Sequence, residues 1–152
     1  GIPDESEYAR TINGEEASRV RLLVGRSNQN SSVNREFAKQ LKFLHSSMPE
    51  AAVIVVGVSD RSIRKGDKYI TNPNIFKLRQ AQKEAALEND CIFWDLFQAM
   101  GGENSMPAWV LRDKPLANKD FIHFNNNGAE YVATIFLKAL YKEYEASKQS
   151  KQ

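Results

Sequence analysis

An aspartate and a histidine lie three residues apart near the end of the chain, as Asp120 and His123. This spacing lets a carboxylate reach an imidazole through local backbone alone. His123 could then act as a general base, with Asp120 holding its second nitrogen and stabilising the imidazolium. The same residues could instead form a turn that caps a following helix, because Asp-x-x-His alone is a weak pattern. The pair predicts catalysis only if other elements place it at a site.

A candidate nucleophile, Ser27, follows an apolar stretch that ends at Gly25. A hydroxyl group there would project from the end of a strand, where a nucleophile is needed. The side-chain amide of the neighbouring Asn28 could donate a hydrogen bond to an oxyanion. The alternative is a turn rich in Ser and Asn that leads into a helix N-cap.

Three further residues could line a substrate. Ser59 and Asp60 follow a second apolar stretch. Asp60 could pair with Arg61 or Arg64, and its role is expected to be either structural or at the rim of the substrate. Trp109 lies in a stretch expected to be a loop, where its ring could stack on a sugar. The alternative for Trp109 is an anchor that holds this loop to the core.

The elements that must position these residues alternate between strand and helix patterns. Apolar, β-branched runs predict strands at 19–25, 52–58 and 91–95. Apolar residues at helical spacing predict helices at 33–47, 72–89 and 128–144, with one further helical turn at 96–100. Loops are expected at 59–72 and 103–118.

The order of these elements predicts a three-layer α/β/α domain with a short parallel sheet over residues 19–145. The run at 52–58 has no polar face, which is typical of a strand covered on both sides. Residues 1–18 are expected to form a polar arm or linker, and residues 146–152 a flexible polar tail. Sites in such sheets form at the carboxyl ends of the strands, where Ser27 and Ser59 fall.

Composition argues against several classes of function. The net charge of +2 is spread along the chain, whereas a nucleic-acid-binding protein would show a basic face. No apolar run approaches the roughly 18 residues that a membrane span needs. One cysteine and two histidines argue against a thiolate cluster or a multi-histidine metal site, and we expect no cofactor.

Together these stretches resemble the SGNH (GDSL-type) hydrolase family of esterases. The most specific match is Asp120-Phe121-Ile122-His123-Phe124, followed by Asn127-Gly128 and a helix, which is similar to the family's closing Asp-x-x-His block. Four further short segments resemble a branch of the family associated with secreted carbohydrate esterases. These segments are 57–62, 93–97, 100–102 and 105–106. The resemblance covers residues 19 to 145.

The resemblance implies a flavodoxin-like α/β fold and ester hydrolysis by Ser–His–Asp acyl transfer, without a metal or cofactor. His123 would be the base and Asp120 its orienting acid, and the substrate would be a small ester or an acylated carbohydrate. Residues 19–28 would carry the family's oxyanion block, with Asn28 one position later than the family's asparagine. A secreted or periplasmic location is implied by the resemblance alone.

The first two blocks of the family, including the Gly-Asp-Ser that carries its nucleophile, have no match before residue 19. The chain is therefore expected to be the C-terminal part of a longer enzyme or a reduced relative. An alternative alignment makes Gly25-Arg26-Ser27 a degenerate first block and Gly57-Val58-Ser59-Asp60 the third.

The alternative function is an inactive or truncated SGNH-like α/β module that acts in binding or assembly. A nucleotide-binding domain is a third option, although no Gly-rich phosphate loop is present.

The missing first strand also predicts an interaction. Without it, the strand at 19–25 would be a long apolar edge that invites pairing with another chain. We expect this edge to be covered by residues 1–18, by a second copy or by a separate chain.

Overall fold

The computed structural model describes residues 20–24 and 31–149, with side chains at 35–146, 148 and 149. Along the chain the described elements are β1 (Val20–Val24), α1 (Ser31–Ser47), β2 (Ala52–Val56), β3 (Ser62–Lys65), β4 (Lys68–Thr71), α2 (Asn74–Leu87), β5 (Ile92–Trp94), α3 (Leu96–Ala99), α4 (Ser105–Leu111) and α5 (Asn126–Gln149). None of the helices in these ranges is long and apolar enough to cross a membrane.

The main sheet has the order β1-β2-β5, and both strand pairs are parallel. Ile54 of the central strand pairs with Leu22 on one side and with Ile92 on the other. Every residue of β2 is buried, as a strand covered on both faces requires. The predicted parallel α/β architecture is therefore confirmed.

Two apolar clusters cover the two faces of this sheet. On one face, Val53 and Val55 of β2 and Phe93 of β5 pack against residues of α1 and α2. On the other face, Ile54, Val56 and Trp94 pack against α3, α4 and α5. Alternation of side chains along β2 thus separates two helical layers, and these complete the predicted three-layer arrangement.

The predicted loop at 59–72 is wrong, because it contains the antiparallel hairpin formed by β3 and β4. Gly66 and Asp67 form its two-residue turn, and Gly66 has a φ of +65° that favours glycine. Such a Gly-Asp pair between β-branched and aromatic residues is a hairpin signal. The surrounding Arg and Lys residues made the stretch resemble a polar loop.

Two other boundaries also differ from expectation. The predicted loop at 103–118 contains helix α4, whose Pro107 lies in the first turn, where proline is tolerated. Helix α5 runs to Gln149, so the tail expected at 146–152 is wrong for residues 146–149. The predicted arm at 1–18 lies outside the described residues, and the covering of the β1 edge therefore stays a prediction.

Candidate active site

The candidate site is built on the segment between α4 and α5, called here the His123 loop (residues 117–125). An antiparallel bridge between Ala117 and Phe124 closes this loop at its base. Inside it, the Asn118 N–H donates to the His123 carbonyl at 2.8 Å, and the Phe121 N–H donates to the Asn118 carbonyl at 3.0 Å. These bonds fix the backbone that carries both candidate catalytic residues.

Asp120 and His123 form a hydrogen-bonded pair. Nδ1 of His123 lies 2.7 Å from Oδ2 of Asp120, and Oδ1 accepts from the N–H groups of Ile122 at 2.9 Å and His123 at 3.0 Å. The backbone N–H of His123, then its side chain, and then the N–H of Ile122 lower the pKa of Asp120 from 3.8 to about 2. Because an ionised carboxylate can only accept, Nδ1 must carry the proton, and Nε2 is the basic nitrogen of the neutral ring.

The pair is open on its outer side. The His123 side chain is 72% exposed and that of Asp120 44%. Among the side chains that the structure describes (35–146, 148 and 149), none makes a hydrogen bond to Nε2 of His123, and no serine hydroxyl pairs with it. Ser27 and Asn28 lie outside the described residues, so their predicted roles as nucleophile and oxyanion donor stay predictions.

Phe121 gives the loop its turn between the two catalytic candidates. Its φ of +60° is left-handed, which a bulky residue rarely adopts without support. Its ring stacks on Tyr69 of β4 with centroids 3.7 Å apart, and its carbonyl accepts from the Ser62 N–H at 2.9 Å. The hairpin therefore holds the His123 loop from outside, a contact that no local sequence pattern could have shown.

The start of α5 fixes the other end of the loop. Oδ1 of Asn125 accepts from the Gly128 N–H at 2.9 Å, as an N-cap residue does, and Nδ2 donates to the Pro115 carbonyl at 2.8 Å. A Cβ atom on Gly128 would lie 1.8 Å from the carbonyl oxygen of Leu116. The glycine is thus required by the close approach of two backbone segments.

The hairpin is itself anchored to α4. The Asn104 N–H donates to Oγ1 of Thr71 at 2.7 Å, and the Thr71 N–H donates back to Oδ1 of Asn104 at 3.1 Å. Asn104 has a left-handed φ of 61°, a conformation that asparagine tolerates. This reciprocal pair joins the end of β4 to the residue before α4.

The substrate-rimming role predicted for Asp60 is wrong. Its side chain is fully buried, and Oδ2 accepts from the Met106 N–H at 2.8 Å and from Oγ of Ser105 at 3.3 Å. In the described part of the chain it makes no ion pair with Arg61 or Arg64, and Oδ1 has no hydrogen-bond partner. Asp60 therefore ties the end of β2 to the start of α4.

Ser59, next to Asp60, is partly exposed at the carboxyl end of the sheet. Its predicted role in lining the substrate therefore stays a prediction.

The sugar-stacking role predicted for Trp109 is also wrong, because its ring is buried. Nε1 donates to the Met100 carbonyl at 3.0 Å, and the ring packs against Phe124 and Tyr131 at centroid distances of 5.5 and 5.6 Å. The anchoring alternative is the correct one. Through Phe124, the residue after His123, Trp109 supports the base of the His123 loop.

Two further charged side chains at the carboxyl end of β5, Asp95 and Arg79, have a structural role. Asp95 binds Arg79 through both carboxylate oxygens, and it also caps α3 by accepting from the Gln98 N–H at 3.2 Å. No cluster of three or more His, Cys, Asp or Glu suited to a metal ion occurs among the described residues. The candidate chemistry of the described site therefore rests on the Asp120–His123 pair.

No protein-family model matches this chain, and no curated protein matches it. Among solved structures, the chain is similar to one described as "Peptidoglycan O-acetylesterase in action, 5 min", with a TM-score of 0.75 and 19% sequence identity. The match covers 86% of this chain and 40% of that chain. It confirms the predicted α/β fold.

Proposed function

We propose that this chain carries the histidine–aspartate part of an SGNH-type ester hydrolase that deacylates carbohydrates or small esters. The observation that carries the proposal is the 2.7 Å contact between Nδ1 of His123 and Oδ2 of Asp120. That contact assigns the proton to Nδ1 and leaves Nε2 as a base on an open side of the molecule. A base with this tautomer is what acyl transfer from an ester needs.

In the proposed reaction, Nε2 of His123 takes the proton of a serine hydroxyl as its oxygen attacks the ester carbon. The tetrahedral oxyanion collapses, the bond to the leaving alcohol breaks, and His123 returns the proton to that alcohol. Water then cleaves the acyl-enzyme through the same base. Asp120 stays ionised throughout and stabilises the imidazolium.

Ser27 is the proposed nucleophile and Asn28 the proposed oxyanion donor, because both follow β1 in the sequence. If Ser27 is not the nucleophile, His123 would need a serine from another segment or another chain. The likeness in fold to a peptidoglycan O-acetylesterase supports an acetyl ester on a glycan as the substrate class. This chain spans 40% of the length of that esterase chain, so the activity of the whole esterase is a proposal for this chain.

The test is the release of acetate from an acetylated oligosaccharide and of nitrophenol from 4-nitrophenyl acetate. We expect His123→Ala to lose about 10³-fold or more in kcat/KM, and Asp120→Asn about 10²-fold. His45→Ala is the matched control, since His45 contacts Cys91 in the layer on the other face of the sheet. Hydrolysis by wild type that persists undiminished in His123→Ala would contradict the proposal.

The alternative is an inactive SGNH-like module that binds an acylated carbohydrate without cleaving it. The observation that favours it is the lack of a serine partner for His123 among the side chains described at 35–146, 148 and 149. A folded wild-type protein that binds the acetylated oligosaccharide and releases no acetate would support this alternative.

A further inference from the structure

One face of the β3–β4 hairpin adjoins the His123 loop and takes no part in the acyl transfer described above. In the hairpin register Arg64 pairs with Tyr69, and Ser62 pairs with Thr71. Because side chains alternate along a strand, these four residues share one face. Ser62 and Thr71 are buried, and Tyr69 stacks on Phe121, so this face is turned toward the rest of the protein.

Arg64 lies at the exposed end of that face, beside Tyr69. Directly opposed residues in an antiparallel pair have Cβ atoms only about 5 Å apart. The Arg64 Nε donates to the Gly66 carbonyl at 3.0 Å, which orients the guanidinium. Among the described residues no carboxylate pairs with Arg64. Its terminal nitrogens are therefore available for a carboxylate, which a guanidinium binds through two parallel hydrogen bonds.

The charge around Arg64 favours an anion. Between residues 61 and 71 the chain carries four basic side chains (Arg61, Arg64, Lys65, Lys68) and one acidic side chain (Asp67), a difference of +3. Lys65 and Lys68 pair with each other on the opposite face of the hairpin. The hairpin thus has a net positive charge that attracts anions. On the face of the hairpin that adjoins the His123 loop, the positive charge is that of Arg64.

We propose that Arg64, beside the exposed edge of Tyr69, forms a subsite for a carboxylate of the substrate. The preferred ester would then be that of an acidic carbohydrate, such as one containing a uronic acid. The Tyr69–Phe121 stack places this subsite against the loop that carries His123. This proposal rests on the proposed function, because it assumes that the ester lies at His123.

The test compares two esters that differ only in the carboxylate, O-acetylated glucuronic acid and O-acetylated glucose. We expect Arg64→Ala to raise KM about five-fold for the glucuronic acid ester, with kcat and the glucose ester unchanged. Lys65→Ala removes the same charge from the opposite face and should leave both esters unaffected. Equal losses on the two esters, or equal effects of the two variants, would overturn the subsite.

A binding measurement keeps the subsite testable without turnover. If wild type cleaves neither ester, the proposed function fails, and a glucuronate-containing oligosaccharide is titrated into the full chain by calorimetry. We expect Arg64→Ala to weaken this binding about five-fold relative to wild type and to Lys65→Ala. A neutral oligosaccharide of equal length should not distinguish the three proteins. Identical glucuronate binding by wild type and Arg64→Ala would overturn the proposal.

Discussion

Tyr69 and Phe121 stack face to face, with their ring planes 4° from parallel. Tyr69 belongs to the β3–β4 hairpin, whereas Phe121 lies between the two residues of the candidate catalytic pair. The left-handed backbone of Phe121 costs on the order of 1 kcal/mol, which the stack and the Ser62–Phe121 hydrogen bond offset. The position of His123 therefore depends on a hairpin that is distant in the sequence.

Removing the Tyr69 ring should loosen the His123 loop. We expect Tyr69→Ala to lower kcat about tenfold, because misplacement of a catalytic group slows the chemical step. Tyr69→Phe keeps the ring and should retain wild-type kcat. Steady-state kinetics on 4-nitrophenyl acetate separates kcat from KM for both variants. If Tyr69→Phe were as slow as Tyr69→Ala, the hydroxyl group rather than the stack would be responsible.

The Asp120 carboxylate should remain ionised far into acid. Hydrogen bonds from His123 and Ile122 lower its pKa from 3.8 to about 2. The stabilisation of the folded protein by these bonds is therefore fully present above pH 3.8 and is lost as the pH falls through about 2. The largest contribution is the backbone N–H of His123, which His123→Ala retains. We therefore expect NMR titration of the carboxyl carbon to show only a partial rise of the Asp120 pKa in that variant. A full return to 3.8 would show that the imidazole, not the backbone, sets the pKa.

Gly128→Ala should strain the start of α5. The new methyl group would lie 1.8 Å from the carbonyl oxygen of Leu116, and both atoms are attached to backbone that cannot rotate away. We expect a loss of about 3 kcal/mol in the free energy of unfolding, measured by urea denaturation. Gly66→Ala is an informative comparison, because its Cβ would meet nothing within 4 Å and only the positive φ would oppose it. A smaller cost for Gly128→Ala than for Gly66→Ala would contradict the packing described here.

Cys91 should be unreactive in the folded protein. Burial, and secondarily the charge of Asp90, raise the pKa of its thiol from 9.0 to about 11. At pH 8 this lowers the thiolate fraction about a hundredfold, and the thiolate is the form that reacts. We expect iodoacetamide to alkylate Cys91 readily in urea and very slowly in buffer. Equal rates in the two conditions would show that the thiol is exposed.

The apolar runs of the sequence predicted the parallel sheet well, because a buried β-branched stretch such as 52–58 has few alternatives. The Asp120–His123 contact was also predictable, since three residues of local backbone decide it. The substrate roles given to Asp60 and Trp109 were wrong for a shared reason. A polar or aromatic residue at a strand end or in a loop can serve packing as well as binding, and only its burial decides between them.

The long-range supports could not be predicted from the sequence. Three contacts join segments that are distant in the sequence, so no local pattern indicates them. These contacts are Tyr69 with Phe121, Thr71 with Asn104, and Arg79 with Asp95. The hairpin was predictable in principle from Gly66-Asp67, but its Arg and Lys residues suggested a solvated loop. One of those residues, Arg64, is the cation of the proposed carboxylate subsite.

The central claim is that His123 is the base of a serine esterase, and labelling with a fluorophosphonate probe tests it most directly. The probe reacts only with a serine whose proton is removed by a neighbouring base. We expect wild type to be labelled at Ser27, as located by peptide mass mapping, with labelling retained in His45→Ala and lost in His123→Ala. A folded wild-type protein that takes up no label would contradict Ser27 as the nucleophile, and labelling that His123→Ala leaves unchanged would contradict His123 as the base.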